Sequence, residues 1–238
     1  MKTRFILLLC AALAAASFTG CKKVNGKGGV VTRNYDLPHF SRVHLSGIGR
    51  VELIKDANLF AEVKTHENLF DALRLEVTDG KLEIGTRNGY SIGKYDELTY
   101  YVHAPVIDAV NISGSGNITG GDGIAAASFL AKVSGSGDIH ISGLAASLVE
   151  ADISGSGNIH LGGISENTKM VVSGSGNIKG FDLTSAHTEA RISGSGNIDT
   201  RTTTSLDVNI SGSGNVNYKG QPSINVNISG SGNLQNAN

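Results

Sequence analysis

Seven copies of the segment Ser-Gly-Ser-Gly-Asn, one of them with Asp in place of Asn, recur in the second half of this chain. The copies begin at residues 113, 134, 154, 173, 193, 211 and 229, so the intervals between them are 21, 20, 19, 20, 18 and 18 residues. A repeat of this length is typical of a solenoid, in which each turn buries its apolar face only against its neighbours. A flexible Ser/Gly linker would keep no such phase.

The residues around each copy alternate between apolar and polar side chains, as in a strand with one buried face. The residue before the first Ser is Ile or Val in every copy, and the residue two places earlier is also apolar. The residue after the Asn or Asp is Ile, Val or Leu. Each turn is therefore predicted to contain a strand, a bend at the glycines, a second strand and a return loop.

The last position of the motif is predicted to form a ladder of side chains along the solenoid. Stacked rungs lie roughly 4.8 Å apart, so each amide can bond to the equivalent residue one rung away. The predicted ladder consists of Asn117, Asp138, Asn158, Asn177, Asn197, Asn215 and Asn233. Glycine is expected at the bend because it reaches unusual backbone angles and lets the chain pass close to the next rung.

These patterns predict an all-β fold, a single-stranded parallel β-solenoid with roughly 20 residues per rung. A right-handed coil is expected, since strand-crossover-strand connections strongly favour that hand. Aromatic residues make up 5% of the chain and there is no Trp, whereas 32 of 238 residues are Gly. That composition suits a thin core of Ile, Val and Ala columns.

One domain is predicted over residues 31–238, with degenerate rungs and a cap over 31–110 and regular rungs over 111–238. Residues 43–51 keep the apolar columns and both glycines of the motif, so they read as a degenerate rung. The alternating segments on either side of Asp79-Gly80 predict a β-hairpin. Such a cap would cover a strand edge that otherwise invites aggregation.

The beginning of the chain has the pattern of a secretory signal peptide that ends at a cysteine. Lys2 and Arg4 precede an apolar run, and Thr-Gly-Cys21 follows, which resembles a bacterial lipobox. Residues 1–20 are predicted to be a lipoprotein signal peptide, Cys21 the lipidated residue, and residues 21–30 a flexible lipidated tether. The predicted location is the cell envelope, at the outer membrane. The alternative is an ordinary signal peptide that is cut elsewhere.

The sequence shows no pattern of catalytic residues, and no metal site or cofactor is predicted. The Gly-Ser-Gly segments lack the helix and the Gly-Lys-Ser/Thr of phosphate-binding loops. His140 and His160 share one column, but zinc needs three or four ligands, so a solvated face is favoured. Glu150 and Asp152 are interpreted as part of a salt-bridge ladder with the basic residues on neighbouring rungs, not as a glycosidase pair.

Charge and aromatic content narrow the classes of partner. The chain has 20 basic and 21 acidic side chains, and a net charge of −1 gives no reason to expect nucleic acid. Tyr90 and Tyr95 lie in the densest aromatic segment and are the candidate contacts to a glycan or an envelope protein. The alternative for this segment is packing of the cap onto the first rung.

The chain resembles the head GIN domain family, described as autotransporter adhesins of the bacterial envelope. The resemblance is carried by residues 40–43, the strand 81–84, the stretch 102–105 and the repeated Ser-Gly-Ser-Gly-Asn/Asp-Ile segments. It implies a β-helical envelope protein with an adhesive or structural role. The function predicted is a non-enzymatic adhesin or partner-binding lipoprotein. The alternatives are a self-assembling homo-oligomeric scaffold and, third, a carbohydrate-active enzyme.

Overall fold

The computed structural model describes residues 21–121 and 123–238, and strands account for most of them. The first nine strands are β1 (Lys22–Val24), β2 (Val30–Asp36), β3 (Arg42–Ser46), β4 (Arg50–Lys55), β5 (Phe60–His66), β6 (Leu73–Thr78), β7 (Lys81–Thr86), β8 (Tyr90–Ile92) and β9 (Leu98–Ala104). A 3₁₀ helix at Glu67–Ala72 joins β5 to β6. The remaining strands are β10 (Ala109–Ile112), β11 (Asn117–Gly120), β12 (Ala125–Val133), β13 (Asp138–Ile153), β14 (Asn158–Val172), β15 (Asn177–Ile192), β16 (Ile198–Ile210), β17 (Val216–Lys219), β18 (Ser223–Ile228) and β19 (Leu234–Asn236).

From β10 onward the strands form a parallel β-solenoid in the predicted register. Ile139 pairs with Ile159, Ile159 with Ile178, and Ile178 with Ile198, one rung apart each time. The apolar columns are buried, since Ile112, Val133, Ile153, Val172 and Ile192 are each at most 1% exposed. The prediction of an all-β parallel solenoid with roughly 20 residues per rung is therefore confirmed.

The bend of every regular rung passes so close to the rung before it that only glycine fits. A Cβ added to Gly174 would overlap the carbonyl oxygen of Gly155, and Gly155 has the same relation to Gly135. The repeated bend glycines are not among the glycines with positive φ. The predicted need for unusual backbone angles was therefore wrong for the regular rungs, because the close approach of the two backbones sets the requirement.

The strands β3 and β4 form a rung in the interior of the stack, because the chain adds strands first on one side of this rung and later on the other side. β3 and β4 pair in parallel with β10 and β11 on one side and with β7 and β9 on the other. Residues 43–51 thus span two strands that have parallel neighbours on both sides. Their glycines Gly47 and Gly49 do have positive φ, at 139° and 102°.

Antiparallel strands cover this first end of the solenoid. β5 pairs with β9, β2 pairs with β5, and β6 pairs with β7 in an antiparallel hairpin. The hairpin turns at Asp79 and Gly80, with φ of 51° and 70°, as the Asp-Gly signal predicts. β2 is the outermost strand of this cap, and most of its residues are exposed.

Part of the predicted tether is ordered. Lys22–Val24 forms β1, which pairs in parallel with Tyr90–Ile92, and the amide of Asn68 donates to the Asn25 carbonyl oxygen at 2.8 Å. The expectation of a wholly flexible segment after Cys21 was therefore wrong, because this segment has backbone partners in the cap. Cys21 itself is exposed. The predicted signal peptide over residues 1–20 lies outside the described residues.

The last rung has a different surface from the others. β18 is exposed along its whole length, with Ile224, Val226 and Ile228 at 39%, 47% and 39% exposure. In the described part of the chain no helix has the length and apolar character needed to cross a membrane.

Candidate functional site

The ladder at the end of the Ser-Gly-Ser-Gly motif is a chain of side-chain hydrogen bonds within the solenoid. The Nδ2 groups of Asn158, Asn177, Asn197 and Asn215 each donate to the side-chain oxygen of the ladder residue one rung earlier, at 2.8 to 3.2 Å. In three of these rungs the backbone N–H donates to the same oxygen. These amides are engaged with one another along the corner of the coil.

A polar groove of about 590 Å³ lies on the outer face of strands β13–β16. Because side chains alternate across a strand, the outward residues of four stacked strands line it together. The polar groove is defined by Glu150, Asn167, Lys169, His187, Glu189, Arg191, Ser205 and Asp207. It carries cations, carboxylates, an amide, an imidazole and a hydroxyl on one rigid sheet.

The charges in the polar groove are less paired than the sequence suggests. Glu150, Lys169 and Glu189 are direct neighbours on successive rungs, as predicted. Among the described residues, however, neither Glu150 nor Lys169 has a partner within salt-bridge distance. Ion pairs join Lys132 to Asp152, at 3.1 Å, and Arg191 to Glu189 on the same strand. The predicted salt-bridge ladder is therefore present at Asp152, which pairs with Lys132, but not at Glu150, which has no ion pair among the described residues.

A second cavity, which the sequence patterns did not indicate, lies where the solenoid begins. It has a volume of about 290 Å³ and is lined by residues 53–55, 104–107, 121 and 123–125. We name it the linker cavity, because residues 104–107 link the cap to β10. The sequence gives little indication of this cavity, since three separate segments with no shared motif form its walls.

The sequence profile of the family described as "Putative auto-transporter adhesin, head GIN domain" matches residues 39–222 of the chain. The chain belongs to the head GIN domain family. That description associates it with the envelope or surface of the cell, and it confirms the resemblance drawn from the repeats. No curated protein matches this head GIN domain.

Several crystal structures share the architecture of this head GIN domain. A "putative adhesin" from Bacteroides fragilis NCTC 9343 has a TM-score of 0.85 at 20% identity, covering 90% of this chain and 99% of that chain. A "putative adhesin" from Parabacteroides distasonis ATCC 8503 has a TM-score of 0.73 at 21% identity, covering 91% and 100%. A "putative lipid binding protein" from the same organism has a TM-score of 0.72 at 28% identity, also covering 91% and 100%. The two adhesins support the fold.

The two tyrosines proposed as binding contacts lie in the cap of the head GIN domain, far along the chain from the polar groove. Tyr95 is partly buried and packs against the hydrophobic core. Tyr90 is in β8, and the ammonium of Lys22 stands 5.7 Å from the centre of its ring. Both rings make contacts within the domain, Tyr95 with the core and Tyr90 with the segment that follows Cys21. A role for them in binding remains a prediction.

The histidine column is arranged as a surface feature. The rings of His140 and His160 stand nearly perpendicular, with centroids 4.4 Å apart, and His160 Nε2 lies 3.0 Å from Asp182 Oδ2. Within residues 21–121 and 123–238, no three His, Cys, Asp or Glu side chains are grouped closely enough to hold a metal ion.

A cluster of charges at the junction of the cap and the first rung shifts the acidity of Glu83. Burial raises the pKa of Glu83, but Lys81, His44 and Arg74 outweigh that effect and hold the pKa below its ordinary value. Lys81 Nζ is 2.6 Å and His44 Nδ1 is 3.0 Å from the carboxylate. Because this cluster joins β3, β6 and β7, its role is to tie the cap to the solenoid.

Proposed function

We propose that this head GIN domain is a non-enzymatic envelope lipoprotein that binds a polar glycan through the polar groove. The single observation that carries the proposal is the groove itself, a rigid sheet face on which Glu150 and Lys169 have hydrogen-bonding capacity directed outward. The family description as an adhesin supports the same class of role. A binding site needs fixed donors and acceptors, and stacked strands supply them without ordering cost.

The composition of the polar groove favours a glycan over a protein. Interfaces between proteins are enriched in aromatic residues and depleted of charge at their centres. Here the centre holds Lys169, Glu189 and His187, and Leu148 is the one large aliphatic side chain in the lining. Hydroxyl, carboxylate and amine groups of a saccharide match such a surface. An envelope protein is the other outcome of the test.

The proposal includes attachment to the outer membrane through a lipid on Cys21. Its support is the lipobox-like sequence, and the thiol is exposed on the structure. Cys21→Ser should abolish metabolic labelling by palmitate and release the protein from the membrane fraction. Retention of both label and membrane association in that variant would refute the anchor. Protease treatment of intact cells then distinguishes the surface face from the periplasmic face.

The glycan-binding test uses the domain without its acyl chain, residues 22–238, on an array of bacterial and host glycans. We expect a hit that Lys169→Ala weakens by about tenfold, since a charge-assisted hydrogen bond is lost. The matched control is Lys179→Ala, because Lys179 is an exposed lysine near the start of β15 and does not line the polar groove. Absence of any hit, or equal weakening by both variants, would overturn the proposal. Sedimentation in the same buffer tests the alternative of a homo-oligomeric scaffold.

A second candidate function is the binding of a lipid molecule, and the linker cavity is the observation that favours it. The relative of 28% identity is named a lipid binding protein. The cavity is lined mainly by aliphatic side chains and glycines, and its volume of about 290 Å³ is near the lower end of small-molecule pockets, roughly 300 Å³. Titration of the domain with short-chain lipids tests this function independently of the glycan array.

A further inference from the structure

The two ends of the solenoid differ in how their outermost strands are paired. At the capped end β7 pairs in parallel with β3 and in antiparallel with β6, so both of its edges have a partner. At the other end β18 pairs in parallel with β16, and among the described residues its second edge has no partner strand. This fold therefore uses an antiparallel strand to close one edge of the coil, and the edge of β18 offers the same kind of position.

The apolar residues of β18 continue columns that are buried in the rung before it. The three residues of β16 that pair with them are at most 1% exposed, whereas Ile224, Val226 and Ile228 are 39%, 47% and 39% exposed. An exposed, uncharged edge strand is a template for pairing with another chain. β18 has no charged side chain, and the one charged side chain in residues 215–238 is Lys219, whose ammonium lies 4.6 Å from the centre of the Phe181 ring of an earlier rung.

The backbone groups that face this open edge belong to the same three apolar residues. Ser229 N–H donates to the Ile210 carbonyl oxygen at 2.8 Å, and the same bond recurs at each regular bend. The carbonyl oxygen before a bend thus points to the following rung, and Ile228 is the residue aligned with Ile210. Because backbone groups alternate in direction along a strand, the N–H and C=O groups of Ile224, Val226 and Ile228 all point to the open edge.

The sequence of this edge reads the same in both directions. Residues 224–228 are Ile-Asn-Val-Asn-Ile, so a second copy laid antiparallel places Val226 opposite Val226 and Ile224 opposite Ile228. The residues that exchange hydrogen bonds in an antiparallel pair alternate along the strand, and in this register they are the three whose backbone groups point to the edge. The aligned residues 206–210 of the rung before are Leu-Asp-Val-Asn-Ile, which lack this symmetry. A second copy of the chain therefore fits the edge in sequence and in backbone direction.

We propose that the β18 strands of two copies of this domain pair in antiparallel about a two-fold axis at Val226 and form an end-to-end dimer. Each copy supplies the missing partner of the other through about six backbone hydrogen bonds and the burial of the exposed apolar side chains. Because both copies use the same surface, the assembly closes at two chains, unlike the scaffold considered above. The inference does not depend on the ligands proposed for the polar groove or the linker cavity, and its failure leaves both proposals unchanged.

The first test is sedimentation equilibrium of residues 21–238, without an acyl chain and in reducing buffer, from about 1 µM to about 1 mM. We expect a monomer–dimer equilibrium with no larger species. Val226→Lys places two ammonium groups opposite each other at the two-fold axis and should raise the dissociation constant by at least about tenfold. Val106→Lys adds the same charge at a residue of equal exposure, 47%, between β9 and β10, and should leave the constant unchanged. Because both valines are exposed, circular dichroism should show both variants folded.

A mixing experiment tests the register of the pair. Val226→Glu should weaken the dimer as Val226→Lys does, because it also places like charges opposite each other. An equimolar mixture of the two variants places opposite charges against each other. It should form a heterodimer that is at least about tenfold tighter than the homodimer of either variant.

The orientation of the two copies can be measured through Cys21, which is exposed and is the one cysteine in residues 21–238. Cys21 precedes β1, which pairs with β8 in the capped half of the domain. Pairing through β18 places the two cysteines at opposite ends of the dimer, roughly 80 Å apart at about 4.8 Å per rung. Energy transfer between dyes on Cys21 should therefore be weak, whereas pairing through the cap would make it strong.

Each of these measurements can overturn the inference. A chain that stays monomeric over the whole concentration range refutes the dimer, and species larger than two chains refute the closed pairing. Equal weakening by Val226→Lys and Val106→Lys, or strong energy transfer, shows that another surface forms the contact. A mixture of the two Val226 variants that stays monomeric refutes the antiparallel register.

Discussion

Asn197 donates two hydrogen bonds to the side-chain oxygen of Asn177, one from its backbone nitrogen and one from Nδ2, both at 3.0 Å. Asn177 in turn donates from Nδ2 to Asn158 Oδ1, also at 3.0 Å. Each amide therefore fixes the register of the rung after it. The side-chain bonds run from Asp138 to Asn215 and are internal to the coil, and the structural role of the ladder remains a prediction.

Asn177→Ala should lower the free energy of unfolding by about 1–2 kcal/mol, because it removes three such bonds from a partly buried ladder. Binding at the polar groove should be unchanged. The control is Asn233→Ala at the end of the ladder, where the expected loss is under about 0.5 kcal/mol. Denaturant melts of both variants measure the difference. Equal losses would show that the ladder bonds do not determine stability.

Gly174→Ala should destabilise the domain far more than Ser175→Ala. The added Cβ meets the backbone oxygen of Gly155, which cannot move aside as a side chain can, so the rungs must separate. We expect a loss above about 3 kcal/mol, or failure to fold, for the glycine variant and under about 1 kcal/mol for the serine variant. Thermal melts compare the two. A Gly174→Ala domain of unchanged stability would contradict the close-packed bend.

Two buried threonines on adjacent rungs should respond to valine in opposite ways. Among the described residues Thr168 Oγ1 has no hydrogen-bond partner, whereas Thr188 Oγ1 lies 2.8 Å from Thr202 Oγ1 and 3.4 Å from Thr200 Oγ1. Thr168→Val should therefore be neutral or stabilise by up to about 1 kcal/mol, since it removes an unsatisfied hydroxyl. Thr188→Val should cost about 1 kcal/mol or more. Chemical denaturation of the two variants tests the pair, and a loss for Thr168→Val comparable to that for Thr188→Val would refute it.

The lowered pKa of Glu83 predicts a pH-dependent contribution to stability. A carboxylate with a depressed folded-state pKa stabilises the fold above its unfolded pKa, about 4.3. That contribution is lost as the pH falls through the folded-state value. Glu83→Gln should therefore be less stable than the unmodified domain at pH 7, and the gap should close in more acidic buffer. Melting temperatures between pH 7 and pH 3 measure it, and a constant gap would contradict the ion cluster with Lys81 and His44.

The regular rungs could be predicted from the sequence because each residue of the repeat recurs in the same environment. Seven aligned copies place Ile112, Ile153 and Ile192 in one buried column without any knowledge of the rest. The cap could be predicted only in outline. Its strands β2, β5 and β9 pair across distant segments, and a single copy of a pattern carries no register.

The candidate sites could likewise be predicted from the sequence only in part. Glu150 and Lys169 could be assigned to adjacent rungs from their phase, but the polar groove depends on which side chains pair and which do not. The linker cavity could not be predicted at all. Residues 53–55, 104–107 and 123–125 meet only because the chain leaves the solenoid after β4 and returns at β10.

The chain first adds strands on the cap side of β3 and later adds rungs on the other side, starting from β10. The cap and the regular rungs are therefore encoded in separate parts of the sequence. The cap is complete at residue 104, and each later rung pairs with the edge of the rung that precedes it. Inserting or removing one repeat should therefore lengthen or shorten the face that carries the polar groove without altering the cap, because each rung contacts only its neighbours. The distance between Cys21 and the far end of the coil is thus a quantity that repeat duplication can change in steps of about 4.8 Å.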